Sequence, residues 1–175
     1  MKLTLRQNAI VSEIDRCGVV ADIGCDHGQI TLGIVLRDLC DKIIATDISP
    51  GSLEKTKRLF EEYGLLHKAE FRVCDGLDFE TPVDVCIIAG MGGLNISGIL
   101  NRARALPQKL VLQPMRDTQT VRDTLLTLSY KITRDFTVID KGRKYDIITG
   151  IREKGIGNRK RTAPQTIPFS LTSVP

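Results

Sequence analysis

The heptapeptide Asp22-Ile23-Gly24-Cys25-Asp26-His27-Gly28 sets two carboxylates flanking a glycine turn between the apolar run Val19-Val20-Ala21 and a predicted helix. A strand, a tight glycine turn and a helix start, in that order, form a loop suited to a nucleotide cofactor: glycine lets the backbone come close and the helix start offers free N–H groups. A dinucleotide-binding turn would keep glycine in the middle, so that the backbone can press on a pyrophosphate. Asp26 stands there instead. A carboxylate is a poor neighbour for pyrophosphate and a good one for a cofactor carrying a sulfonium and a free ammonium, which are the charges of S-adenosylmethionine. The competing reading is a plain strand-to-helix turn, with Asp22 and Asp26 gaining about 0.3–1 kcal/mol each from the helix dipole.

Four further groups could complete such a site. Asp47 follows Gly24 by 23 residues, close to the separation at which an acidic residue ending the second strand binds a pair of ribose hydroxyls; the alternative is a helix cap with Ser49. Asp75, before Gly76, either accepts a hydrogen bond from an adenine amino group or is a turn residue. Gly90-Met91-Gly92-Gly93 leaves backbone N–H groups at a helix start with almost no side chain in the way, unless its glycines serve only positive φ. Gln113-Pro114 closes another predicted strand. His27 is a candidate switch or base, yet a lone histidine beside a turn is more often a hydrogen-bonded structural residue, and His67 reads as loop surface. The five cysteines are odd in number and form no C-x-x-C pair, so they read as reduced, mostly buried thiols, with neither a disulfide framework nor a zinc site indicated.

The elements that must carry these residues alternate. Thr4 and Gln7 make a capping box for a first helix through Ile10, Ile14 and Cys17, stopped at Gly18. Strand one is read at 19–24, followed by a helix from Ile30 to Leu39 and strand two at Lys42–Ile48. Ser49-Pro50 then opens a helix carrying Leu53, Thr56 and Phe60 that Gly64 ends. Short strands follow at Glu70–Cys74 and Val83–Ala89, the second an almost unbroken apolar run of the kind covered on both faces. After Gly93 come a helix, a strand at Lys109–Leu112, a helix at Thr118–Leu128, and an antiparallel hairpin of Ile132–Ile139 and Tyr145–Ile151 joined by residues 141–144.

This alternation predicts an α/β fold: an open, mostly parallel sheet with helices on both faces and ligands at the C-terminal strand ends. Every candidate residue above falls at such an end.

At 175 residues, 42% of them apolar and 26% charged, the chain suits one soluble domain. No apolar run approaches the roughly 20 residues that cross a bilayer, and no leader is evident, so a cytoplasmic protein is expected. Residues 1–140 carry 17 basic and 19 acidic side chains, against 8 and 2 in residues 141–175. The basic excess is therefore C-terminal; it suggests either an anionic partner or a solvated tail.

Taken in order, ADIGCDHG, Asp47 in ATDIS, CDGL at 74–77, IAGMGG at 88–93, LQP at 112–114 and the Lys144-Tyr145-Asp146-Ile147 run resemble the bacterial tRNA adenine-N1 methyltransferases that modify adenine 22. The resemblance covers about residues 1–152. It implies a class I, Rossmann-like methyltransferase fold with a mostly parallel seven-stranded sheet, an antiparallel last strand, S-adenosylmethionine as cofactor and tRNA as partner, with no metal and no membrane. By the same resemblance Gly24, Cys25 and Gly28 line the methionine side, Asp22 supports the loop, and Asp26 is the catalytic carboxylate facing cofactor or base. Asp47 binds ribose, Ile48 lies against adenine, Asp75 and Gly76 hold the adenine ring, and Gly90 borders the cofactor. Met91, Gly92, Gln113 and Pro114 face the target base, Met91 replacing the stacking aromatic of amino-methylating relatives. The family's helical C-terminal extension is not expected here: residues 153–175 read as a basic, flexible tail around Arg159-Lys160-Arg161, interrupted by Gly157, Pro164 and Pro168.

Overall fold

The computed structural model describes residues 1–152; the expectations for the basic tail lie outside the described residues. Helix α1 (Leu5–Val11) begins with the expected capping box, Gln7 N–H donating to Thr4 Oγ1 and Thr4 N–H to Gln7 Oε1. It ends at Val11, well before Gly18, because the sheet claims the backbone that follows. Cys17 N–H donates to Leu39 O, and Gly18 and Val19 N–H to the Asp84 carboxylate, so strand β1 (Cys17–Ile23) already starts at Cys17. Ile14 is buried without being helical.

The chain then alternates through α2 (Gln29–Leu36), β2 (Cys40–Asp47), α3 (Pro50–Glu62), β3 (Ala69–Val73), β4 (Val85–Met91), α4 (Gly93–Arg102), β5 (Lys109–Pro114), α5 (Thr118–Thr127), β6 (Lys131–Asp140) and β7 (Arg143–Ile151). Helix α3 starts as its residues dictate: Ser49 Oγ accepts from Ser52 N–H, Pro50 occupies the first turn, and Gly64 at φ +66° follows the end.

The seven strands lie in the order β3-β2-β1-β4-β5-β7-β6. β7 runs antiparallel to both neighbours, and every other pairing is parallel. Two apolar layers bury the sheet's faces. Ile10, Leu32, Ile34 and Phe60, from α1, α2 and α3, cover one; Ile96, Leu100, Val121 and Leu125, from α4 and α5, cover the other. Central strands β1 and β4 are correspondingly apolar but for Asp22, with Val20–Ile23 and Val85–Ile88 buried.

Strand order reverses between β1 and β4, which opens a crevice above their C-terminal ends. Two expected turns are absorbed into strands. Gly90 and Met91 belong to β4, with a bulge between Ala89 and Met91 where Met91 pairs with Pro114, and Gln113-Pro114 is the buried end of β5.

Candidate active site

The loop after β1 is fastened from below. Gly24 and Cys25 N–H both donate to Thr46 O, at 2.8 and 2.9 Å, tying the turn to β2. Gly24 has φ +71°, and a Cβ there would lie 2.2 Å from Met91 Cε; the glycine is what lets the β1 and β4 ends touch. Asp26 is also left-handed, at φ +49°, a conformation that aspartate tolerates better than most residues. Its N–H donates to Asp47 Oδ2 at 3.2 Å and its carbonyl accepts from the Thr56 hydroxyl at 2.9 Å. With the backbone held on both sides, the exposed carboxylate stands in the cleft, with His27 Nε2 3.7 Å from Oδ2.

Asp22 lies beneath this turn. It is 3% exposed, and Thr31 donates its hydroxyl to Oδ2 at 2.6 Å, joining β1 to α2. Burial pushes its carboxyl up to about 6, with the Asp47 charge adding and the Thr31 hydrogen bond opposing. Cys25 is buried against Thr56 Oγ1 at 3.5 Å, and burial foremost, then the Asp22 charge, pushes its thiol up to about 12. It is a neutral packing group at physiological pH. Gly28, at φ +68°, begins α2 and faces α3: a Cβ there would sit 2.4 Å from Thr56 Cγ2.

At the end of β2, both Asp47 carboxylate oxygens receive backbone N–H groups, Oδ1 from Ser49 at 2.8 Å and Oδ2 from Asp26. The helix cap itself is Ser49. Ile48 beside it is 72% exposed, an apolar side chain turned into the cleft. After β3, Asp75 is exposed and pairs with Arg102 Nη2 at 3.1 Å, while Gly76, at φ +68°, lets the turn pass close to Ile99.

These ends enclose a cleft of about 860 Å³. Of the residues singled out from sequence, Gly24, Cys25, Asp26, Asp47, Ile48, Asp75, Gly76, Gly90 and Met91 line it together. Asp22, Gly28, Gly92, Gln113 and Pro114 do not: Asp22 and Gly28 lie under the turn, Gly92 caps α4 beside Arg116, and Gln113 and Pro114 are buried in β5.

The opposite wall comes from residues far apart in sequence. Arg6 Nη1 donates to Gln113 Oε1 at 2.6 Å, and its guanidinium lies 5.3 Å from the Tyr145 ring centroid. Arg6, Tyr145 and the half-exposed Met115 line the cleft. Tyr145 was flagged through the Lys144–Ile147 run; Arg6 had no signal, since α1 reaches the cleft only because it packs against the end of the chain's sheet. Among the described residues, no group of three His, Cys, Asp or Glu side chains is placed to hold a metal ion, and no helix is long and apolar enough to cross a membrane.

An open sheet with helices on both faces, reversing its strand order under a cleft walled by three strand-end carboxylates, defines a Rossmann-like α/β protein with a nucleotide-type ligand site. The family described as "Methyltransferase domain" matches residues 3–148, and the chain belongs to it. The chain is similar to the tRNA (adenine(22)-N(1))-methyltransferase of Bacillus subtilis, 29% identical over 153 residues that make up 85% of this chain and 64% of that protein. The crystal structure of the B. subtilis m1A22 tRNA methyltransferase TrmK superposes with a TM-score of 0.80 at 28% identity, covering 87% of this chain and 67% of the other. A Streptococcus pneumoniae protein solved in complex with S-adenosyl-L-methionine gives 0.81 at 27%, covering 86% and 73%. The chain spans about three fifths of the length of the curated relatives it matches, 64% and 60%.

Proposed function

We propose that the protein transfers a methyl group from S-adenosylmethionine to N1 of an adenine, position 22, in tRNA. The observation that carries this reading is the row of carboxylates Asp26, Asp47 and Asp75 along one wall of a single cleft, in a methyltransferase-family chain whose similar relatives carry that activity in their names.

The residues present fit the cofactor. The glycines at 24 and 76 let their turns pack on Met91 and Ile99 while both line the cleft, and the exposed Ile48 offers an apolar contact for an adenine face. Asp47, already oriented by two backbone N–H groups, keeps acceptor capacity for ribose hydroxyls, and Asp75 is the acceptor for the adenine amino group. Asp26 faces the methionine end. When bound, S-adenosylmethionine supplies an electrophilic methyl carbon on a positively charged sulfur.

N1 of adenine has a free lone pair at neutral pH, so no base has to remove a proton before it attacks. The protein's task is then to hold nucleophile and methyl in line, near 3 Å apart, and to exclude other encounters. Met91, re-aimed by the bulge after Ala89, provides an apolar contact beside the entering ring. The methylated ring is cationic, and the Asp26 carboxylate orients the base's amino group and stabilises the charge that develops. The reading places the protein's work in the cytoplasm, with its RNA substrate.

Incubation of the full chain with labelled S-adenosylmethionine and unmodified bulk tRNA, followed by nucleoside analysis, should give 1-methyladenosine. Label in another nucleoside, or in none, overturns the proposal.

A further inference from the structure

We infer that the tip of the β6–β7 hairpin is a phosphate grip for the RNA whose base enters the cleft; this rests on the RNA-methylation reading above and adds to it the surface that holds the strand. Lys141 at φ +49° and Gly142 at φ +75° form a two-residue turn with both residues left-handed, closed by the Asp140–Arg143 pair. Such a turn matches the twist of its strands, so the tip is stiff. It presents Lys141, Arg143 and Lys144, all exposed. Among the described residues none of these three has an ion-pair partner, whereas Arg16, Arg104 and Arg122 are each paired with an aspartate.

Register fixes where the tip stands. Leu112 of β5 pairs with Ile148 of β7, which sets Tyr145 level with Met115, and both line the cleft. The turn lies a further three or four residues along, roughly 10 Å past the cleft wall at about 3.3 Å per residue. Arg6 braces its foot, stacking on Tyr145 while its own N–H donates to Asp140 Oδ2 at 3.4 Å. The hairpin thus joins three unpaired cations outside the cleft to an aromatic ring inside it. A base drawn from its stack into the cleft leaves its flanking phosphates at the rim, where lysine and arginine neutralise them. A membrane surface would want a broad apolar face beside the charges, and the hairpin tip offers only Ile139 as an exposed large apolar side chain.

The test is the triple variant Lys141→Asn, Arg143→Gln, Lys144→Gln, in which asparagine suits the left-handed position. Binding of bulk tRNA is titrated from 50 to 200 mM salt for parent and variant, with calorimetry of S-adenosylmethionine and thermal melts alongside. The slope of log affinity against log salt should fall by about two to three, and affinity near 150 mM salt by about tenfold or more, with cofactor binding and melting unchanged. A parent that methylates tRNA while the variant keeps the parental slope overturns the grip alone. A parent that neither binds nor methylates tRNA overturns the functional reading, and the grip with it. Salt-independent binding of tRNA by both proteins, with only the parent held by phosphatidylserine vesicles, would make the tip a membrane contact instead.

Discussion

Along β1, β2 and β3 the cleft is walled by Asp26, Asp47 and Asp75, each within three residues of a strand end. Across from them stand Arg6, Met115 and Tyr145, which come from α1, the loop after β5 and β7, and behind these rises the basic hairpin tip. One wall carries the carboxylates, Asp75 paired with Arg102, and is built from short sequence intervals; the other is basic and apolar, and needs the two ends of the fold brought together. A sulfonium-and-ammonium cofactor and a polyanionic substrate make opposite electrostatic demands, and a single cleft meets both only by separating them onto different strands. On the proposed reading, the family supplies the scaffold, and the division of charge across it directs each ligand to its side.

The sharpest way to break this division is at Asp26. Asp26→Asn keeps the shape and tolerates the left-handed backbone but removes the charge; turnover on tRNA should fall about 10²–10³-fold, by analogy with the loss of one preorganised electrostatic group. Cofactor affinity, read by calorimetry, should move only a few-fold, and unchanged turnover would remove Asp26 from the chemistry.

A second effect lies beneath the acidic wall. The Asp22 carboxyl is raised in the fold from 3.8 to about 6, so its contribution to stability is fully present below the unfolded value and is lost as pH rises through the folded one. At 1.36 kcal/mol per unit this is about 3 kcal/mol, lost between roughly pH 4 and 7. In Asp22→Asn the amide oxygen still accepts the Thr31 hydroxyl, and urea melts should show that this fall has flattened. Parallel pH profiles for variant and parent would rule out Asp22 as the titrating group.

A smaller change sharpens the contrast between the walls. Asp47→Ala should weaken S-adenosylmethionine about 10-fold or somewhat more, the scale of a lost hydrogen bond to a charged group. It should leave the salt slope of tRNA binding untouched, the mirror image of the hairpin variant. A changed slope would mean that the two walls do not act separately.

The two walls also differ in how far local sequence specifies them. The acidic one was legible because its residues sit next to the strand and glycine signals that place them: Gly24 after an apolar run, Asp47 before Ser49-Pro50, Asp75 before Gly76. Misreadings arose where tertiary pairing overrode local pattern. Helical spacing through Ile14 and Cys17 suggested a helix to Gly18, but Leu39 and Asp84 take those backbone N–H groups into the sheet. Gln113-Pro114 read as a strand exit, yet the β4 bulge extends pairing as far as Pro114 and buries both. Arg6 escaped notice because its partners, Gln113, Asp140 and Tyr145, lie more than a hundred residues away, and single-chain periodicity carries no such information.

That long reach bears on the order of events during synthesis. The acidic wall needs nothing beyond α4, whose Ile99 and Arg102 meet Gly76 and Asp75, and its residues are all made once Arg102 is free of the ribosome. Arg6 and Glu13 must wait for β7, which slots between β5 and β6 and brings Thr149 to Glu13 at 2.9 Å as well as Tyr145 to Arg6. At about 5–20 residues per second, the nascent protein passes several seconds with the residues of the acidic wall made and the opposite wall absent. On the proposed reading, transfer to RNA waits for the last strand.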